Sequence, residues 1–240
     1  MALSGTFTFT LNRQELIKKV LLMLGVISPS QTPTSDETTS ASNSLNLMLK
    51  AWQADGLQLW QTDTVSVTPT ANADYLFGDG TYTSYQPIDI LEVYRKTTAS
   101  NIWVELIRLS RNDFNTLSDH DSTGTPVNFY YNNGETTGTS LGTLSIWQIA
   151  DSNFIANNTL EVLLTKPFDD MSSDTDNLAF PQAWELAVVY GLCVILAREY
   201  GLPLSDQQLL MQQAEMEKDR VMNWDMEHTS VFFTPSNRTK

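Results

Sequence analysis

Apolar residues recur at helical spacing at both ends of the chain and at alternating spacing in the middle, and this change of period is the first guide to the fold. Asn12 with Glu15 makes a capping-box start, Leu16, Val20, Met23 and Leu24 share one face, and Gly25 supplies a left-handed C-terminal cap. Thr34 with Glu37 begins a second helix in the same manner. Its apolar positions Ala41, Leu45, Met48, Leu49 and Trp52 repeat at helical spacing until Gly56 ends it. These two segments predict a helical hairpin.

Between Thr62 and Thr165 the pattern turns to short alternating or apolar runs. Thr64–Thr68, Ile88–Tyr94, Ile102–Ile107, Val127–Tyr131, Leu144–Ile149 and Leu160–Thr165 read as strands. Asn133-Gly134 is a tight-turn signal, and Gly78-Asp-Gly80 and Gly124-Thr-Pro126 mark further breaks. Ser110–Leu117 reads as an isolated helical turn or two. Helical spacing then returns. Pro181 suits the first turn of a helix running through Trp184, Ala187, Val188, Leu192 and Ile195 to Tyr200, which Gly201 and Pro203 end. Ser205 and Gln208 form another capping box for a last helix through Leu209, Leu210, Ala214 and Val221.

The pattern predicts an α+β fold in which a helical core from both chain ends carries an inserted antiparallel β-rich domain. Its parts are a helical hairpin over 1–61, a β-rich sandwich or meander over 62–166, completing helices over 167–223, and an extended arm over 224–240. The arm stands apart because Trp224, Met226, Val231, Phe232 and Phe233 are apolar with no following element to bury them. A short arm with aromatic anchors reads as a segment that docks into another protein.

Charge narrows the function classes. The chain carries 28 acids against 14 bases, a formal net charge of −14. Such a surface repels phosphate backbones and lacks the cation excess that drives counterion release, so a sequence-reading DNA binder is not expected. A conduit that DNA slides past without sticking fits the same balance. No window approaches the length of apolar run that spans a bilayer, and the N-terminal residues lack the basic-then-apolar order of a secretory signal.

Candidate chemistry is sparse. Cys193, the single cysteine, lies in an apolar setting and reads as a buried small hydrophobe. His120 lies in Ser-Asp-His-Asp-Ser, an exposed loop, and His228 lies in the arm. The nucleophile-elbow, phosphate-loop, zinc-protease and dinucleotide motifs are absent from the sequence. Asp169–Asp176 offers carboxylates to calcium but lacks the glycine and distal glutamate of an EF-hand; a solvated loop favouring the dipole of the helix near Pro181 explains it. No catalytic, cofactor or metal residues are assigned, and no enzyme activity is expected.

Three places in the chain resemble the head-to-tail adaptor proteins of short-tailed phages, the tail accessory or head completion proteins of the podovirus connector. They are Asn12–Ile17 with Leu24–Val26, Leu45–Trp52 and Gly56–Trp60; Gly124-Thr-Pro126 ahead of Phe129–Tyr131; and Phe180–Trp184 with Leu196–Gly201. Their colinear order carries the likeness. It implies a structural virion protein at the head-to-tail junction, made in the bacterial host cytoplasm. It also implies a homo-oligomeric ring of twelve copies beneath the portal that continues the DNA channel and presents a platform for the tail nozzle or tube and for tail fibres. The family's arm contacts the portal, which would make Trp224, Val231, Phe232, Phe233, Arg238 and Lys240 the portal-binding residues here. Two other readings stand beside this one: a different β-rich tail component, tube or fibre-binding, and a virion-associated peptidoglycan hydrolase.

Overall fold

The computed structural model describes residues 10–55, 61–134, 141–177 and 181–224, and the chain divides into two compact units. One joins Met1–Trp52 to Asp169–Lys240; the other is Gln53–Phe168. The fold class is α+β, as the change of period predicted.

Helix α1 (Arg13–Met23) starts with the reciprocal cap read in the sequence: the Glu15 amide donates to the Asn12 side chain, and the Asn12 amide donates to the Glu15 carboxylate. Leu16, Ile17, Val20 and Leu21 are buried, whereas Met23, placed on that face by the sequence, is exposed. The buried stripe is the 16/17/20/21 set, and position 23 lies about a quarter turn from its centre, just beyond the Leu16 edge. Gly25 takes φ +70° as the left-handed cap requires. Thr34 and Glu37 exchange amide bonds of 2.8 and 3.3 Å at the start of α2 (Ser35–Ala54), and the Thr34 amide and hydroxyl, both donating to the Glu37 carboxylate, hold it below its usual range. Ala41, Leu45, Met48, Leu49 and Trp52 are all buried. Gly56 lies outside the described residues.

The second unit is a β-sandwich. Its strands are β1 (Thr62–Val67), β2 (Asp74–Phe77), β3 (Asp89–Thr97), β4 (Trp103–Glu105) and β5 (Ile107–Arg108), followed by the short helix α3 (Arg111–Asn115). Next come β6 (Thr123–Gly124), β7 (Asn128–Asn132), β8 (Gly142–Trp147), β9 (Ile149–Ala150), helix α4 (Ser152–Asn157) and β10 (Asn158–Thr165). One sheet has the order β1-β10-β3-β4 and the other β2-β8-β7-β5; β6 and β9 form a two-stranded ribbon. Val67, Ile90, Val93, Leu160, Val162 and Leu164 from the first sheet share one core with Tyr75, Phe77, Phe129, Leu144 and Ile146 from the second.

Several details depart from the sequence expectation. The run Ile102–Ile107 is not one strand. Leu106 is buried and donates its amide to Val93, so β4 belongs to one sheet while β5 turns to pair with β7 in the other. The β5–β7 and β6–β9 pairs are parallel, which an antiparallel meander would not contain. Asn133-Gly134 is not a two-residue hairpin, since β7 ends at Asn132 and β8 begins only at Gly142. The Asn132 side chain instead takes the Gly134 amide at the start of the longer connection.

Beyond the sandwich, Pro181 leads a single 3-10 turn over Gln182–Trp184 that runs into α5 (Glu185–Glu199), and Gly201 at φ +66° separates it from α6 (Leu204–Trp224). Ser205 is not a cap. The amides of Asp206 and Gln207 bond to the Pro203 carbonyl, so the helix begins two residues earlier than the Ser205–Gln208 pair suggested. Helix α5 is apolar round most of its circumference and forms the centre of the helical unit. Helix α1 runs against it, α6 packs along it, and α2 approaches so closely that a Cβ on Gly191 would come within 2.8 Å of the Met48 sulfur and 2.9 Å of the Trp52 ring. Helices α1 and α2 both pack against α5, and the Arg13 side chain of α1 donates to Ser42 of α2.

Candidate functional site

The acidic loop before α5 has a structural task. The carbonyls of Asp174 and Asp176 accept the amides of Gln14 and Arg13 at 3.2 and 2.9 Å, satisfying donors at the N-terminus of α1. The helix served is therefore α1, not the one near Pro181. Arg13 bonds to Ser42, to the Met171 carbonyl and to Asp174, while Asp170 pairs with Lys50 at 2.9 Å. Asp176 accepts the amides of Ser172 and Ser173. Among the described residues, no group of three or more His, Cys, Asp or Glu could hold a metal ion.

Other candidate groups are Cys193, His120, Glu161 and Asp89. Cys193 is buried, and loss of solvent pushes its thiol up to about 12, leaving it protonated and unreactive at neutral pH. His120 is exposed with its ring 5.6 Å from Phe114. Glu161, buried on the first sheet, pairs with Lys96 at 3.0 Å and accepts from the Ser66 hydroxyl. Asp89 takes both terminal nitrogens of Arg108 at 2.7 and 2.9 Å.

Glu185 is different. Only 7% exposed, it accepts the Leu11 amide at 3.2 Å, and burial raises its carboxyl above the ordinary 4.5. A raised folded-state value makes the folded chain bind its proton more tightly than the unfolded chain does. Stability from this group is thus greatest below about pH 4.5 and falls as pH rises through the raised value. Glu185→Gln keeps an acceptor for Leu11 and removes the buried charge. Thermal melts at pH 7 are expected to rise, with the gain fading at pH 4.

Surfaces, rather than catalytic groups, distinguish the molecule. Helix α6 buries Val221 and half-buries Leu210 and Ala214, but Leu209, placed on the buried line by the sequence, faces solvent together with Leu204, Met211, Met216 and Met222. Leu204, Met211 and Met222 share one line of this polar helix and Leu209 and Met216 a second, and such exposed apolar lines suit a partner. At its start lies an apolar groove of about 540 Å³, formed where the C-terminal turn of α1 (Leu22–Gly25) meets Leu202, Pro203, Leu209 and Leu210. A second groove of about 650 Å³ is polar and lies between the N-terminal half of α2, Arg13 and the acidic loop. Sequence reading missed both, because each is assembled from turns and helix ends far apart in the chain. On the sandwich, Ile102, Trp103 and Val104 beside and in β4 and Ile107 in β5 are exposed.

Of the arm residues singled out in the sequence, Trp224 closes α6, and Val231, Phe232, Phe233, Arg238 and Lys240 lie outside the described residues, as does His228. No helix among the described residues is long and apolar enough to cross a membrane.

The sequence model of a family described as SU10 adaptor protein matches residues 11–229, from just before α1 through both units to five residues past Trp224. No curated protein matches the chain.

Proposed function

We propose that this chain, which belongs to the SU10 adaptor protein family and so to the structural adaptors of phage particles, sits at the head-to-tail junction of a short-tailed phage. There it closes into a ring beneath the portal, continues the DNA channel and gives the tail nozzle or tube its platform. The match over residues 11–229 carries this reading, because it takes in both helical ends and the sandwich rather than the β unit alone. A plain β-rich tail component would not account for that span.

The physical properties suit the task. Each copy in a ring meets the next through two different patches, and closure depends on the rotation between them. The exposed apolar residues of α6 supply one such patch. The net charge of −14 keeps a channel wall from trapping the phosphate backbone at each step of passage. Trp224, Val231, Phe232, Phe233, Arg238 and Lys240 form the dock for the portal, the aromatic pair entering pockets and the basic end meeting carboxylates. The role is structural, with no reaction assigned.

Mass measurement of the protein alone and after release from portal-bearing heads tests this reading. Multiple copies held in a closed assembly on the heads are expected. A single copy per head would overturn it.

A further inference from the structure

The apolar groove at the start of α6 and the residues beyond its end fit each other in chemistry and in reach. Met23, Leu24, Leu202, Pro203 and Leu210 surround a space of about 540 Å³, within the range that holds small organic groups, and Leu209 stands at its edge 62% exposed. Farther along the helix, Met216 is 70% exposed. It lies seven residues, two turns, after Leu209, so the two form one stripe on the same face. That stripe leads from the groove toward Trp224, where the chain continues into residues 225–240.

We propose that residues 231–233 of the same molecule rest in this groove before assembly, the chain running back along Met216 and Leu209. Length permits the return. From Leu210 to Trp224 the helix rises about 21 Å at 1.5 Å per residue. Phe232 is eight residues past Trp224, and eight extended residues reach about 26 Å. Val231, Phe232 and Phe233 are the consecutive apolar residues of that stretch, so the one segment able to fill an apolar groove arrives at its mouth. Asp206 on the groove's rim offers a carboxylate to the basic residues Arg238 and Lys240 that follow.

The contact withholds the aromatic pair from solvent and from neighbouring molecules until the portal competes for it. Exchange with the portal rests on the adaptor reading; the contact within the free molecule does not. Ligand and groove would then set a population balance in which docking on the portal requires undocking from α6.

Disulfide trapping in the full-length chain tests the contact, using Leu209→Cys with Phe232→Cys; the buried Cys193 does not compete. Leu209 is exposed and so outside the core, and circular dichroism checks that the double variant folds. Intramolecular bonds are expected to form about tenfold faster than in the same variant carrying Val231→Ser and Phe233→Ser, as loss of about 1.4 kcal/mol of docking would give. Bonds between two molecules would move the occupant to a second copy and overturn the proposal. Equal rates with and without the apolar anchors would reduce the contact to chance collision and overturn it too. Portal-bearing heads separate this from the wider reading. A trapped protein that attaches to heads only after reduction supports both. Efficient attachment while trapped leaves the groove contact standing and removes the arm's portal role. Absence of trapping, with attachment still dependent on residues 225–240, does the reverse.

Discussion

Trp184→Ala is expected to lower the stability of the helical unit by about 3–5 kcal/mol, the cost of emptying a fully buried aromatic site. Trp184 has no exposed surface, and its ring lies 6.1 Å from Trp52 at a tilted angle. Trp52 in turn packs under the Lys218 ammonium at 5.3 Å and against Gly191, so the pair joins α2, α5 and α6 at one point. Removing the indole leaves a cavity where three helices converge. Denaturant melts followed by helical circular dichroism should shift to lower midpoint, and Trp184→Phe should recover a large part of the loss. The sandwich has its own core cluster, in which neither tryptophan takes part. Its tyrosine signals are therefore expected to melt where they do in the parent chain. Parent-like helical stability in the alanine variant would mean that α5 is held by other contacts.

Ending the chain after Asn223 is expected to weaken attachment to portal-bearing heads by at least about 100-fold, or roughly 2.7 kcal/mol, the scale of a single aromatic hot spot. The truncation removes Trp224, Val231, Phe232, Phe233, Arg238 and Lys240 while keeping all but the last residue of α6. Phe232→Ala and Phe233→Ala separately are expected to account for much of the loss, because buried aromatics contribute large apolar area at modest entropic cost. Co-sedimentation of each variant with heads measures the effect. If truncated and full-length chains sediment equally, the dock lies elsewhere, and the exposed residues of α6 become the first alternative.

Local signals were legible, and non-local ones were not. The Asn12–Glu15 and Thr34–Glu37 caps are completed within four residues, so their side chains determine them without help from the rest of the fold. Gly25 and Gly201, with positive φ, mark helix ends for the same reason. Strand β2 escaped notice because it is four residues long between polar turns, although Tyr75 and Phe77 alternate inward as a strand requires. Helix α4 had a readable cap, the Asp151 side chain accepting the Phe154 amide at 2.7 Å, but a six-residue helix has too little periodicity to stand out. The split of Ile102–Ile107 between two sheets depends on what lies opposite each residue, and alternation along one strand does not encode that. Ser205 misled because Pro203 supplies the carbonyl that starts α6, a backbone role invisible in side-chain patterns.

The surfaces follow the same division. Periodicity located the last helix but misassigned Leu209, since its apolar residues are too many for the single stripe that α5 buries. The apolar groove joins residues near 23 to residues near 206, and only the fold brings those turns together. Arg13 shows the opposite case. One side chain ties α1, α2 and the acidic loop through Ser42, the Met171 carbonyl and Asp174, yet in the sequence it is an ordinary helix-start arginine.

Electron cryomicroscopy of portal-bearing heads mixed with the full-length protein tests the central claim most directly. The account predicts a closed ring of this chain beneath the portal, its channel continuous with the portal's, with density for Phe232 and Phe233 seated in portal pockets. A ring elsewhere on the particle, or isolated copies with no density linking residues 225–240 to the portal, would contradict it.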